Sequence, residues 1–294
     1  MPPPQNKGAT VSLDHAFPLL NSFNSFLTVA IHNILFYRSI YPSATFLSTK
    51  AYNLNVHQNR HPKVCDWIRD AVSAVATQIA NGQVSRIAVV IHSPLDGPSP
   101  SPSPSWSSNP DSSGNAAVPP GSVLERWMFD VSWLPAWPAN KAGATGAKAM
   151  ADFGRTLAKE SRSEASRDMP LRAGETPVSG PDVDEQLRGA LRRMAHAAEG
   201  MAALPTGCTF TVAVELRDEA KAPIGYPQAW IPSEPNLQPA SKGKAVAGSD
   251  IGGAKATPIR SVEAGPMFFE CWVEEAKAKE VLLTAKSKDR EQSQ

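Results

Sequence analysis

The sequence predicts an α+β fold in which three helices pack on a mainly antiparallel sheet. Three long segments carry apolar residues at helical spacing, and four shorter segments have the alternation or the continuous apolar character of β-strands. The segments follow one another as helix, helix, strands, helix, strands. This order is typical of an α+β domain and differs from a repeating βαβ pattern.

The first predicted helix is apolar on most of its surface. It is expected to begin near Asp14 or Phe17, with Pro18 in its first turn, and to end at Tyr41-Pro42, because the residue before a proline is disfavoured in helical conformation. A helix that is apolar on most sides is buried on most sides. Its main stripe consists of Phe23, Phe26, Leu27, Ala30, Ile31 and Ile34.

Two further helices have recognisable ends. The second follows His61, with Pro62 in its first turn and Asn81-Gly82 at its end. The third is predicted to begin at Asp182, where Glu185 gives the spacing of a capping box. The inward-facing residues of the two helices are Val64, Ile68, Ala71, Val75 and Ile79, and Leu187, Leu191, Met194, Ala198 and Met201.

Four segments are predicted to be strands. Residues 84–92 are apolar on both faces and should form a central strand, which a hairpin with an enlarged loop joins to the alternating residues 123–133. Residues 208–217 alternate strictly, which predicts a sheet with one wet side. In residues 267–275 the inward face is Met267, Phe269, Cys271 and Val273, with Phe268, Glu270 and Trp272 opposite.

Three low-complexity stretches interrupt these elements. They are residues 93–121, rich in Pro and Ser, and residues 139–181 and 239–258, rich in Ala and Gly. Because they have few spaced apolar residues, we expect disordered insertions within a single domain of residues 11–277, followed by a charged tail at 278–294. Trp106 stands alone in the first insertion, either as a docking motif or as an uncommitted loop residue.

Composition and charge exclude several classes of protein. A net charge of +1 argues against a general electrostatic grip on nucleic acid, so no direct specific nucleic-acid binding is expected. Three widely spaced cysteines fit neither a disulfide framework nor a zinc site. The N-terminus lacks the layout of a signal peptide, and no apolar run is expected to approach the ~20 residues that span a bilayer. These features predict a soluble protein of the cytosol or nucleus, with no membrane association.

Motifs for catalysis are not found in the sequence. It contains no nucleophile elbow, no phosphate-binding loop and no dinucleotide fingerprint after a strand. His57 and His61 are four residues apart, but Pro62 prevents the helix that would place them on one face. His32 could act as a general base; a buried histidine hydrogen-bonded to the backbone is the favoured interpretation. We therefore expect no catalytic residues, no metal and no cofactor.

Aromatic residues occupy unusual positions. Trp67 lies on the polar margin of the second helix, Tyr226 and Trp230 lie in a proline-studded segment, and Trp272 points away from the core face of the last strand. Any one of them could be a rim residue covered by a loop. Together they indicate a surface that grips a peptide or a partner domain, because tryptophan and tyrosine dominate binding hot spots.

Four segments, in order, resemble HORMA-domain proteins: FLTVAIHNILFYRSIYP, HPKVCDWIRDAV, PTGCTFTVAVELRDEA and SDIGGAKATPIRSVEAGPMFFECWVEE. Among these proteins the sequence is similar to the accessory subunits of translesion DNA polymerase zeta, the B-type relatives of mitotic arrest deficient protein 2. The resemblance covers essentially all the ordered chain. It implies a single HORMA domain that performs no catalysis.

The resemblance also implies how a peptide would be bound. A C-terminal seat-belt segment, here about residues 217–275, would wrap around a proline-containing peptide of the polymerase zeta catalytic subunit, and the peptide would add a strand to the sheet. The corresponding peptide-binding residues are Tyr41, Trp67, Tyr226 and Trp230.

A second partner is implied as well, the C-terminal domain of the deoxycytidyl-transferase translesion polymerase. Its docking surface would include Ala256, Glu270 and Trp272, and Gly189 stands where relatives carry an arginine used in self-association. Relatives are remodelled by an AAA-type ATPase and act in the nucleus, so both are expected here. The alternative is a spindle-checkpoint or meiotic HORMA adaptor that clasps a different peptide.

Overall fold

The computed structural model describes residues 13–95, 118–134, 179–217, 230 and 255–292. The helices within this part are α1 (Leu13–Tyr37), α2 (Pro62–Ala80), α3 (Gly180–Gly200) and α4 (Lys277–Gln292). The strands are β1 (Phe46–Ala51), β2 (Leu54–Asn59), β3 (Val84–His92), β4 (Val123–Asp130), β5 (Thr209–Leu216), β6 (Lys255–Ala264) and β7 (Met267–Glu275). The α+β class is confirmed, with four helices where three were predicted.

A five-stranded antiparallel sheet organises the domain, in the order β5-β3-β4-β7-β6. Strand β3 lies inside it, as its doubly apolar pattern predicted. The alternation of residues 123–133 is not matched by alternating burial in β4, because β4 lies between β3 and β7 and seven of its eight residues are buried. Two polar residues of this strand, Glu125 and Arg126, are buried in ion pairs.

The helix-facing side of the sheet holds the main core. Alternate residues of β7 are buried there, which confirms the predicted inward face, and Phe26 of α1 meets Phe129 and Phe269 with ring centroids 6.1 and 5.3 Å apart. The six stripe residues of α1 are all buried. Helix α1 is therefore the spine on which the sheet packs.

A separate hairpin, β1–β2, was not predicted. Its turn residues Tyr52 and Asn53 have φ values of 51° and 55°, and two consecutive positive φ angles are typical of a type I′ turn. Tyrosine is unusual at such a position, which hid the turn. Strand β6 was missed also: residues 255–258 were assigned to the third insertion, but they are extended and pair with β7.

The predicted end of α1 at Tyr41-Pro42 is wrong by about one turn, and Pro18 lies inside the helix rather than in its first turn. The helix ends at Tyr37 because Ser39 adopts a φ of 54°. The N–H of Ser39 donates to the Phe36 carbonyl and that of Ile40 to the Leu35 carbonyl, each at 3.0 Å, which is a Schellman arrangement.

Part of α1 is more continuously apolar than expected. Its segment Pro18–Tyr37 could cross a membrane as judged by length and composition alone, so the expectation that no apolar run approaches this length is wrong. In this fold 61% of the segment is buried. The burial accounts for its composition, since a helix covered on most sides needs few polar residues.

Some predictions of the other helix ends are confirmed, and others are wrong. Pro62 opens α2 after His61, and Gly82, with φ 69°, follows its end as predicted. Helix α3 begins earlier than expected, because the side chain of Ser179, not that of Asp182, caps it by accepting a hydrogen bond from the Asp182 N–H. Residues 278–294 were expected to form a charged tail, but Lys277–Gln292 form helix α4.

Candidate functional site

Two of the predicted peptide-binding residues meet at one edge of the sheet. The rings of Trp67 and Phe210 are edge to face, with centroids 5.0 Å apart and planes at 80°, and Tyr41 meets Phe210 in the same way at 6.4 Å. Tyr41, Trp67 and Phe210 are each only partly buried. We call these three residues the aromatic cluster.

The aromatic cluster lies on an edge strand. Phe210 belongs to β5, which pairs with β3 on one side; on its other side no strand is found among the described residues. The side chains of β5 are exposed or half-buried throughout. An edge strand beside aromatic rings is the arrangement by which proteins accept an added strand, with main-chain bonds for affinity and side-chain pockets for selectivity.

Trp230 is a third predicted residue that the structure describes. It is half-buried, and its ring packs against the main core. The indole Nε1 is buried without an acceptor among the described residues. A buried donor without an acceptor is costly, so this N–H is a candidate contact for a bound carbonyl group. Tyr226, predicted beside it, lies outside the described residues, as does Trp106.

The opposite edge of the sheet carries the second predicted set. Ala256, Glu270 and Trp272 line one open pocket of about 460 Å³, which Arg193 of α3 and Arg260 of β6 also border. The pocket forms where Pro258 faces Trp272 and the pairing of β6 with β7 slips between Pro258 and Arg260. Proline is tolerated there because an edge strand can spare a backbone donor.

Trp272 is held in place by charged groups. Its Nε1 donates to Glu274 at 2.8 Å, and the guanidinium of Arg86 lies 5.9 Å from the ring centroid. Arg86 also pairs with Asp130 and Glu215. The half-buried indole therefore has a defined orientation, with part of its face left to solvent.

The pocket carries two cations. Arg260 donates through Nη2 to Gln186 at 2.7 Å, and its Nε is buried without an acceptor among the described residues. Arg193 is exposed. Neither arginine has a carboxylate partner within the described part, and the acidic residue of the pocket, Glu270, accepts a hydrogen bond from Ser261 at 3.1 Å. The pocket thus combines apolar surface with guanidinium groups that can pair with an anion.

The histidines that sequence reasoning weighed are structural. His32 is buried and its Nδ1 accepts from the Asn59 N–H at 3.3 Å, as the favoured interpretation predicted. Burial lowers the pKa of His32 to about 4. His57 stacks on Phe36 with centroids 3.4 Å apart, on a different element from His61. Among the described residues no cluster of three His, Cys, Asp or Glu could hold a metal.

Three residues of the two surfaces were missed. Phe210 was not singled out, because alternation does not tell whether a strand lies at a sheet edge. Arg193 and Arg260 lie on elements that are distant in sequence and come together only because α3 packs on β6. The prolines of the third insertion concealed that its end is a strand.

Comparisons with known proteins agree with this architecture. The chain is 25% identical over 258 residues to the DNA polymerase zeta processivity subunit of Schizosaccharomyces pombe (strain 972 / ATCC 24843), covering 87% of this chain and 92% of that protein. It is 25% identical to the mitotic spindle assembly checkpoint protein MAD2B of Danio rerio, over 66% of this chain and 64% of that one.

Solved structures show the same fold. A chain of the Mitotic Checkpoint Complex crystal structure aligns with a TM-score of 0.53 at 18% identity, over 89% of this chain and 96% of that one. HTP-2 bound to HTP-3 motif-6 aligns with a TM-score of 0.50 at 13% identity, over 92% and 93%. The HORMA domain family model matches residues 20–246, most of the sequence, and the chain therefore belongs to the HORMA-domain family.

Proposed function

We propose that this protein is a non-catalytic adaptor subunit of DNA polymerase zeta. It clasps a proline-containing peptide of the catalytic subunit along β5 and docks the C-terminal domain of the deoxycytidyl-transferase polymerase at the pocket beside β6. The observation that carries the proposal is the aromatic cluster beside the edge of β5. The similarity to the Schizosaccharomyces pombe processivity subunit supports the choice of polymerase.

The sheet separates the two partners. Strands β5 and β6 are the outer strands of five, so four spacings of ~4.8 Å place the two edges about 19 Å apart. A peptide on one edge and a folded domain at the other would not compete for space. This separation is what an adaptor needs in order to hold a catalytic subunit and an inserter polymerase together during lesion bypass.

The physical basis of peptide capture would be apolar anchoring and strand pairing. Prolines of the peptide would pack on Tyr41 and Trp67, and a peptide carbonyl would accept from Trp230 Nε1. The proposal includes action in the nucleus and opening of the seat belt by an AAA-type ATPase. Tyr226 stays a prediction within the same segment.

The test is capture of a catalytic-subunit peptide with two spaced prolines on immobilised full-length protein. Capture should persist at high salt, about 1 M NaCl, where the Debye length is only ~3 Å, because apolar contacts and main-chain bonds are not screened. The control peptide has both prolines replaced by aspartate. Loss of the proline peptide at moderate salt, or equal capture of the control, would contradict this binding mode.

A second candidate function is a spindle-checkpoint or meiotic adaptor. It is favoured by the similarity to checkpoint proteins, including MAD2A of Dictyostelium discoideum at 20% identity over 72% of this chain and 74% of that one. The two functions use the same fold and differ in the peptide. Purification of the tagged protein from nuclear extract decides between them, according to whether mass spectrometry identifies the polymerase zeta catalytic subunit or a checkpoint or chromosome-axis protein.

A further inference from the structure

A row of buried charges lies where the C-terminal helix meets the sheet. Glu125 of β4 is fully buried, and Arg38 at the end of α1 and Lys279 of α4 are nearly so. Glu275, the last residue of β7, is mostly covered. Two cations and two anions thus balance in a space from which water is largely excluded. Buried charges are costly unless they are paired, so this arrangement depends on all its members.

Both carboxylate oxygens of Glu125 accept hydrogen bonds from positively charged side chains. Its Oε1 accepts from Arg38 Nη2 at 2.7 Å and from Lys279 Nζ at 2.6 Å. Its Oε2 accepts from Arg38 Nε at 3.0 Å and from Trp127 Nε1 at 3.3 Å. Lys279 Nζ also donates to Glu275 Oε2 at 2.5 Å. The carboxylate therefore joins the first helix to the last through a central strand.

Residues just before α4 and in its first turns anchor the end of β7 by other contacts. The Ala276 N–H donates to the Leu124 carbonyl at 2.9 Å, which extends the β4–β7 pairing by one bond. Ala278 is buried in the main core and Leu282 packs on it. Lys279 follows β7 by four residues, so the hairpin β6–β7 and the lysine are mechanically connected by a single helical turn. The hairpin cannot separate from β4 without pulling Lys279 from Glu125.

We propose that Lys279 is a latch for the C-terminal hairpin β6–β7. By binding Glu125, Lys279 slows the separation of the hairpin from β4. Its contribution is separate from that of the backbone hydrogen bonds between the strands. The consequence for partner binding rests on the proposed function: a slower departure of the hairpin would lengthen the time for which a clasped peptide is held.

The pKa of Glu275 supports the arrangement. Burial by itself would raise this pKa, but the hydrogen bond and positive charge of Lys279, with a contribution from Lys255, lower it overall. The ionised form of Glu275 is therefore favoured in the folded state. The reason is that Lys279 Nζ lies between the carboxylates of Glu125 and Glu275 and donates to both.

The latch is tested by hydrogen exchange, followed by mass spectrometry, on the full-length protein and two variants. Lys279→Met keeps the length of the side chain and removes the charge, and Lys277→Met is the matched control, because Lys277 is exposed on the same helix. Amides of β6 and β7 should exchange at least about tenfold faster in Lys279→Met, whereas those between β3 and β5 should keep their rates. Lys277→Met should match the unmodified protein.

Two results would overturn the latch. Unchanged exchange in β6 and β7 would show that Lys279 does not hold the hairpin, and equal acceleration in every strand would show a general loss of stability. If Lys279→Met does not fold, Lys279→Gln provides a milder variant that removes the charge, keeps a polar side chain beside Glu125 and leaves Glu125 paired with Arg38, with the same pattern expected. The readout needs no peptide, so failure of the unmodified protein to capture one would count against the proposed function and leave the latch standing.

Discussion

The guanidinium of Arg260 lies against the backbone of Gly189: a Cβ built at residue 189 would be 2.9 Å from Arg260 Cζ. Arg260 of β6 therefore occupies the space on α3 that a side chain at position 189 would fill. Gln186, one turn earlier, accepts the hydrogen bond that holds the group there. The lack of a side chain at Gly189 therefore leaves room for Arg260, which lines the pocket.

Gly189→Ala should displace this guanidinium at little cost in stability. Alanine is favoured over glycine in a helix by about 1 kcal/mol, and loss of the Gln186 hydrogen bond costs about as much, so the free energy of unfolding should change by less than about 1 kcal/mol. Binding of the proposed partner polymerase domain should weaken, and Arg260→Ala should weaken it to a similar extent. Gly200→Ala is the control, since a Cβ added there would have no described atom within 4 Å. Full binding by Gly189→Ala, measured by calorimetry, would contradict the role given to Arg260.

Trp67→Ala should weaken peptide capture about tenfold or more, because hot-spot aromatics commonly contribute that much and Trp67 packs on Phe210 at the β5 edge. Trp272→Ala, at the opposite edge, should leave capture unchanged and weaken the second partner. Fluorescence anisotropy of a labelled peptide measures the first effect and circular dichroism checks folding. Equal losses of capture in both variants would argue against two separate surfaces.

Substitutions at Trp230 can distinguish the contribution of its aromatic ring from that of its N–H donor. Trp230→Phe keeps most of the apolar area but removes the buried Nε1–H, which has no acceptor among the described residues. We expect the free protein to be as stable or slightly more stable, and peptide capture to weaken. Trp230→Ala should weaken capture further while the domain stays folded. If thermal unfolding shows that Trp230→Ala abolishes the fold, Trp230 is a core residue and its assignment to the peptide site is wrong.

His32 should make the domain sensitive to acid. Its pKa is about 4 in the folded protein against 6.5 for the free side chain, so the unfolded chain binds the proton more readily. The stability it contributes is complete above pH 6.5 and is lost as pH falls from 6.5 to about 4, amounting to roughly 3 kcal/mol. Urea unfolding of the protein and of His32→Asn across this range isolates the residue. Parallel pH dependences for the two proteins would show that His32 is not the source.

Hydrophobic patterning predicted much of the fold. The bounds of β3 and β7, the buried stripe of α1 and the start of α2 at Pro62 were correct, because each depends on periodicity or on proline within one segment. The errors arose where the tertiary structure overrode a local sequence signal. Tyr41-Pro42 is a valid helix stop, but Ser39 ended α1 earlier, and the alternation of β4 concealed polar residues that are buried as ion pairs.

By itself the sequence determined three of the helices (α1, α2 and α3), four of the strands (β3, β4, β5 and β7), the buried stripe of α1, and which aromatic residues are left over once the core is assigned. Each of these depends on neighbours within a few positions. Only the tertiary structure decided that β5 is an edge strand, that Phe210 joins Tyr41 and Trp67, that Arg260 rests on Gly189, and that Lys279 reaches Glu125. Those contacts join residues that are far apart in the sequence, Lys279 and Glu125 by 154 positions and Tyr41 and Phe210 by 169. They depend on strand order and helix docking, which no local period encodes.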